Sequence, residues 1–276
     1  NVGNPKIALA GTWDLWTGVL AQGQAVGSHS VTHWRGFQAG GQRPADWKGI
    51  DWEYAESIRQ IEADVPNHKV RFLAYAGGHG QENNDPKVAA KYYLAARGGR
   101  GTINPANRID YLNVNAMTGA NLGNPKASWA DLNNLFNPKE TGYRGWAVLI
   151  FHYVGKPEMK AHATTFLDFY RQHADALWGG LFGDVARYGQ ERDTATLTVN
   201  ENTATRIALT LTARMDPQLY NYPLTVKIHL PPGWNTVDAT QNEKSIPSRI
   251  LEHAGQHYAL VKAVPDGGQI VLVPGK

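Results

Sequence analysis

The chain has 276 residues, 42% hydrophobic and 18% charged, with a formal net charge of +3. This length suits one large domain, or a medium domain with a smaller companion. The absence of cysteine excludes disulfides, thiolate metal sites and thiol nucleophiles. No Lys/Arg run marks a nucleic-acid footprint, and no apolar stretch nears the roughly 18 residues of a membrane span.

The sequence opens Asn1-Val2-Gly3-Asn4, without initiator Met or leader, and reads as processed or truncated. Residues 6–10 read as a strand. A helix follows over 12–21 with Thr12 as N-cap, then a helix over 52–64 leading into a strand over 70–75. Asp85 and Pro86 start a helix expected to run to Ala96, with Pro86 at its favoured first position. A shorter helix is predicted over 128–136. The unbroken apolar run Trp146-Ala147-Val148-Leu149-Ile150-Phe151 suits a parallel strand buried on both faces. A helix over 163–176, a strand over 177–182 and a helix over 183–192 complete this part. Such alternation points to a parallel sheet or barrel.

From about Asp193 the helical period disappears. Short β-rich runs at 194–199, 206–211, 224–230, 257–261 and 269–273 are separated by Pro and Gly turns, which predicts a small antiparallel sandwich. Trp234 and Tyr258 in this part are candidates for stacking on sugar, although a lone aromatic in a β-domain is usually core.

The segment Gly27-Ser28-His29-Ser30-Val31-Thr32-His33 carries two histidines four residues apart. On a helical turn that spacing places both imidazoles on one face, close enough to share a divalent cation. The glycine-flanked apolar step before the pair suggests a strand end delivering both residues to a barrel rim. His152 stands immediately after the buried apolar run, another strand-end position. Asp14 reads as a first-turn acid favoured by the helix dipole. Asp51 and Glu53 form the nearest carboxylate pair for a glycoside hydrolase, but their i, i+2 spacing points them apart.

These motifs, in this order over roughly residues 5–192, resemble the polysaccharide deacetylases (the NodB-homology group, carbohydrate esterase family 4). The segment 27–33 is similar to the family's second signature and 70–78 to its third-signature strand. Residues 146–152 resemble the late strand ending in a catalytic histidine, and 178–192 the closing strand and helix of one branch. The resemblance implies a deformed α/β (β/α) barrel over 1–192 followed by a β-sandwich accessory domain over 193–276. It implies a divalent metal, Zn above all, held by His29 and His33 with an aspartate. His152 would be the general acid and Gly77 a backbone oxyanion donor. The activity implied is removal of N-acetyl or O-acetyl groups from an acetylated polysaccharide by a secreted or periplasmic enzyme. The alternative is a non-catalytic carbohydrate-binding or scaffold protein derived from the same fold. The family's Asp-Asp signature is absent here, Gln24 replaces a signature histidine, and Ala74 stands where many members carry arginine. The expectation is therefore a natural chain extending further at its N-terminus.

Overall fold

A computed structural model describes residues 12–36, 42–45, 47–78, 84–101, 103–118, 132–152 and 155–275. The strand expected over 6–10 lies outside them, as do residues 128–131 of the helix expected over 128–136; of the remainder, Asn133–Leu135 form a single 3-10 turn. The chain divides into two compact units, Asn1–Gly183 and Asp184–Lys276.

In the first unit, α1 (Trp13–Ala21) begins on Thr12, whose hydroxyl accepts from the Leu15 N–H. The helix α2 (Ile50–Asp64) leads to β1 (Phe72–Ala74). The one-turn α3 (Pro86–Ala89) is capped by the Asp85 carboxylate, which takes the Lys87 N–H at 2.8 Å. Then come β2 (Ala95–Arg100), β3 (Val114–Thr118), β4 (Leu149–Ile150) and α4 (Pro157–Gln172). The four strands form one parallel sheet in chain order, β1-β2-β3-β4. Ser28 extends it on the β1 side through a parallel bridge to Leu73. Tyr54, Ile61, Val65, Leu73, Tyr75, Tyr93 and Ala96 pack into its core, at about 25 cal/mol per Å² of apolar surface removed from water. Two tyrosine hydroxyls in that core keep partners, Tyr75 donating to Leu112 O and Tyr93 to Tyr54 O.

The expected deformed (β/α) barrel is corrected here. The described residues form an open parallel sheet, part of a half-barrel, within a chain of mostly β content: twelve strands and five α-helices among those residues. Strand pairing overrides local helix propensity at the expected 85–96 helix. Ala95 and Ala96 face Phe72 and Leu73 across the sheet, and Leu94 N bonds Arg71 O at 2.8 Å. At the run 146–151, Trp146 bridges antiparallel to Asn104, so only Leu149 and Ile150 align with β3. The Asn104 side chain fastens that corner, donating to Asn115 O and Trp146 O and accepting from Asn115 N. Residues 177–181 form no strand, and the chain passes directly into α5 (Phe182–Thr194).

In the second unit two antiparallel sheets face each other. One has the order β10-β11-β7, from Ser248–His253, Gln256–Ala263 and Leu224–His229. The other has the order β5-β6-β12-β8-β9, from Thr196–Asn202, Ile207–Thr212, Ile270–Pro274, Val237–Gln241 and Lys244–Ser245. Inward side chains from both sheets make one core, including Ile207, Leu209, Val226, Ile228, Val261, Ile270 and Leu272. Trp234 belongs to it, 3% exposed, and its indole N–H donates to Ala204 O. Within this unit α5 is tied to the segment before β7: Glu191 accepts from Tyr222 N and the Tyr220 hydroxyl donates to Gln190.

Candidate functional site

The histidine segment is an irregular turn built onto the edge of the parallel sheet, rather than a helix. Ser28 pairs with β1 through Ser28 N to Phe72 O at 2.9 Å and Ala74 N to Ser28 O at 2.8 Å. Gly27 is needed for that approach, since a Cβ there would meet Phe72 O at 3.0 Å. The chain then folds back through Ser30 and His33, both left-handed at φ 63° and 58°. Side-chain oxygens replace the missing ladder: Ser28 Oγ accepts from Ser30 N, Ser30 Oγ from His33 N, and Thr32 Oγ1 from Trp34 N. From α2, the Glu53 carboxylate accepts from Val31 N at 2.8 Å, Thr32 N at 3.0 Å and Thr32 Oγ1 at 2.5 Å.

This turn brings the two imidazoles edge to face, with centroids 4.7 Å apart. His29 Nδ1 lies 2.6 Å from Ala74 O. A carbonyl only accepts, so Nδ1 carries the proton and Nε2 is the unprotonated nitrogen. Burial pushes the His29 pKa down to about 3, with smaller contributions from the charges of His33 and Arg97, so His29 is neutral at physiological pH. His33 is half-buried and also lowered, first by burial and then by the Arg35 guanidinium, with Arg97 adding to the effect. Arg97 lies on β2, where it pairs with Ala74 of β1.

The other sequence candidates share one edge of the sheet, because all its strands run parallel. Gly77 follows β1 in a turn with φ 71°, beside Gly78 at 92°. Buried Asn84 holds that turn by donating to Ala76 O and Gly78 O. His152 follows β4 and is exposed. By strand order it stands four spacings from the Ser28 position, about 19 Å measured along the sheet. The structure thus joins His29 to His33, with Arg97 influencing both, and sets His152 well along the edge from them. Asp14 is exposed on α1, and Asp51 is exposed and paired with Lys91 and Tyr92.

Sequence reasoning gave two residues of this site no role in it. Glu53 stood out only as half of a carboxylate pair with Asp51, and nothing in its spacing announces bonds to residues about twenty positions upstream. Arg97 had a faint signal, a lone charge in the small-residue run Ala95-Ala96-Arg97-Gly98.

No protein-family model matches the chain. It is 34% identical, over 285 aligned positions and 94% of its length, to a gellan lyase from a Bacillus species. The chain spans 11% of that protein's length. This similarity overturns the deacetylase resemblance and the deacetylation drawn from it, and it gives no support to a scaffold derived from the deacetylase fold. Among the described residues no group of three or more His, Cys, Asp or Glu gathers to hold a metal. No helix among those residues is long and apolar enough to cross a membrane.

Proposed function

We propose that this chain is a segment of a polysaccharide-acting enzyme of the lyase type, and that its substrate is an acidic polysaccharide. The observation that carries the reading is the 34% identity to a gellan lyase over nearly the whole chain. An extracytoplasmic location, secreted or periplasmic, goes with a polymeric substrate.

The histidine turn supports the reading chemically. In eliminative cleavage a base removes the proton on the carbon bearing a sugar carboxylate. The C–H pair becomes a carbon–carbon double bond, and the glycosidic oxygen leaves with its own bonding pair and takes up a proton. The site needs a cation on the carboxylate and a proton acceptor beside it. Arg97 is the cation, a guanidinium that pairs with carboxylates in a two-pronged fashion. The neutral imidazoles of His29 and His33 supply the acceptor, through nitrogens that Ala74 and the Glu53-held turn keep in place.

The test is incubation of the chain with gellan and with other acidic and neutral polysaccharides, following ultraviolet absorbance of unsaturated sugar ends alongside total reducing ends. Equal growth of both on an acidic polymer is the expected result. Reducing ends appearing without unsaturation mean hydrolysis and overturn the reading. So does activity unchanged in both His33→Ala and Arg97→Ala.

A further inference from the structure

The outer face of the sheet β10-β11-β7 carries a feature that core packing does not use. Alternation puts Ala259, Val261, Val226 and Ile228 into the core and leaves the intervening residues outside. Across the three strands, Leu251, Tyr258 and His229 form one row, and Arg249, Leu260 and Lys227 the next. Lys262 and Thr225 follow along the strands, and His253 faces Gln256 at the other end.

This face holds three permanent cations and no carboxylate. Glu252, the acid of β10, alternates to the opposite side. Two of the cations are held in position: Lys227 Nζ lies 3.9 Å from the Tyr258 ring centroid, and Lys262 Nζ donates to Thr225 Oγ1 at 2.7 Å. None of the ion pairs found among the described residues uses Arg249, Lys227 or Lys262. An excess of one sign on a β surface costs repulsion between neighbours. The charges lie about 7–10 Å apart at sheet spacings, around a strip of apolar surface from Leu251, Tyr258 and Leu260.

We infer that this sheet face is a docking surface for one chain of an acidic polysaccharide, whose carboxylates meet Lys227, Arg249 and Lys262 while sugar C–H faces cover the apolar strip. The inference rests on the proposed acidic-polysaccharide reading and extends it from the histidine turn to a second surface. Charge complementarity selects the occupant: a neutral glycan leaves three cations without partners, and a flat mixed apolar–cationic face suits a ribbon of sugars.

The experiment uses the whole 276-residue chain. Binding to gellan, polygalacturonate, neutral dextran and single-stranded DNA is measured by affinity electrophoresis at low salt, with cleavage of gellan followed in the same samples. The triple variant Lys227→Gln, Arg249→Gln, Lys262→Gln is expected to weaken acidic-polysaccharide binding by about tenfold, as three exposed charge contacts would. A control triple at exposed lysines elsewhere, Lys87→Gln, Lys139→Gln, Lys160→Gln, removes the same net charge and is expected to change binding by about twofold or less. Conservative exchange of the three, Lys to Arg and Arg to Lys, retains binding and shows that folding is not at issue. Equal losses in the two triples, or dextran bound as tightly as gellan, overturn the inference. DNA bound as tightly, and lost in the same variant, also overturns it in favour of a general polyanion surface. Gellan cleaved normally with no binding loss in the face variant sinks the docking surface alone; absence of any unsaturated product while binding follows the pattern above sinks the lyase reading alone.

Discussion

Glu53 holds Thr32 at two points, taking its backbone N–H at 3.0 Å and its hydroxyl at 2.5 Å, from a helix that begins seventeen residues after His33. The carboxylate is 1% exposed. Removing it leaves the N–H groups of Val31 and Thr32 without their acceptor, which costs far more than the bonds contribute on balance. Glu53→Ala is expected to lower stability by about 3 kcal/mol, and Glu53→Gln by about 1 kcal/mol, since an amide oxygen still accepts. Urea unfolding of the two variants beside the parent measures both. Identical midpoints for Ala and Gln would show that the clamp is not what holds the turn.

The Glu191 carboxyl gives a pH dependence of definite sign. It is fully buried, and burial raises its pKa to about 7, against the opposing pull of the Tyr222 N–H and the Arg187 charge. The folded state therefore binds a proton more tightly than the unfolded state does. Stability from this group is complete below about pH 4.5 and is lost as pH rises through 7, by up to about 3 kcal/mol. Thermal melts of the parent and Glu191→Gln across pH 5 to 8 are expected to diverge, with the variant's midpoint falling less. Parallel curves would refute the assignment.

Two glycines separate backbone strain from steric conflict. Gly78 and Gly233 have φ of 92° and 87°, a region that L side chains rarely adopt. A Cβ at Gly233 meets nothing within 4 Å, whereas one at Gly78 meets Gly98 O at 2.9 Å. Gly233→Ala is expected to cost about 1 kcal/mol and Gly78→Ala about 3 kcal/mol, the excess coming from displacement of a backbone carbonyl in β2. Denaturant titration of the pair decides whether β1 and β2 are packed that closely at their ends.

For the proposed chemistry, Arg97→Lys keeps a positive charge near the histidines but loses the two-pronged geometry. It is expected to raise KM for an acidic polysaccharide with a smaller effect on kcat, while His33→Ala lowers kcat with KM little changed. The reverse split, read from initial rates of unsaturated product, would exchange the assigned roles.

What the sequence disclosed depended on how local the cause was. Leu224-Thr225-Val226-Lys227-Ile228-His229 alternates strictly between buried and exposed, and period-two alternation is visible in one sequence. Thr12 and Asp85 cap helices from their own neighbourhoods, and both caps were readable. The failures came where distant pairing decides. Ala95 and Ala96 look helical until β1 lies beside them, and Trp146 looks like the start of a parallel strand until Asn104 turns it aside. The site follows the same rule. His29 and His33 are adjacent, but through two left-handed residues and a carboxylate from α2 rather than a helical repeat. Motif order points toward deacetylation, and similarity to a gellan lyase along 94% of the chain outweighs it.

The position of β12 has a consequence for how the protein is made. It lies between β6 and β8 in its sheet, pairing with both, although it follows the sheet's other four strands in the chain. Until Ile270–Pro274 leaves the ribosome, β5–β6 and β8–β9 are two separate hairpins with an unfilled slot between them. The parallel sheet, whose neighbours in space are neighbours in sequence, can assemble strand by strand during translation. The sandwich has to wait for its keystone, and a nascent chain stalled before residue 270 exposes two unpaired strand edges to its surroundings.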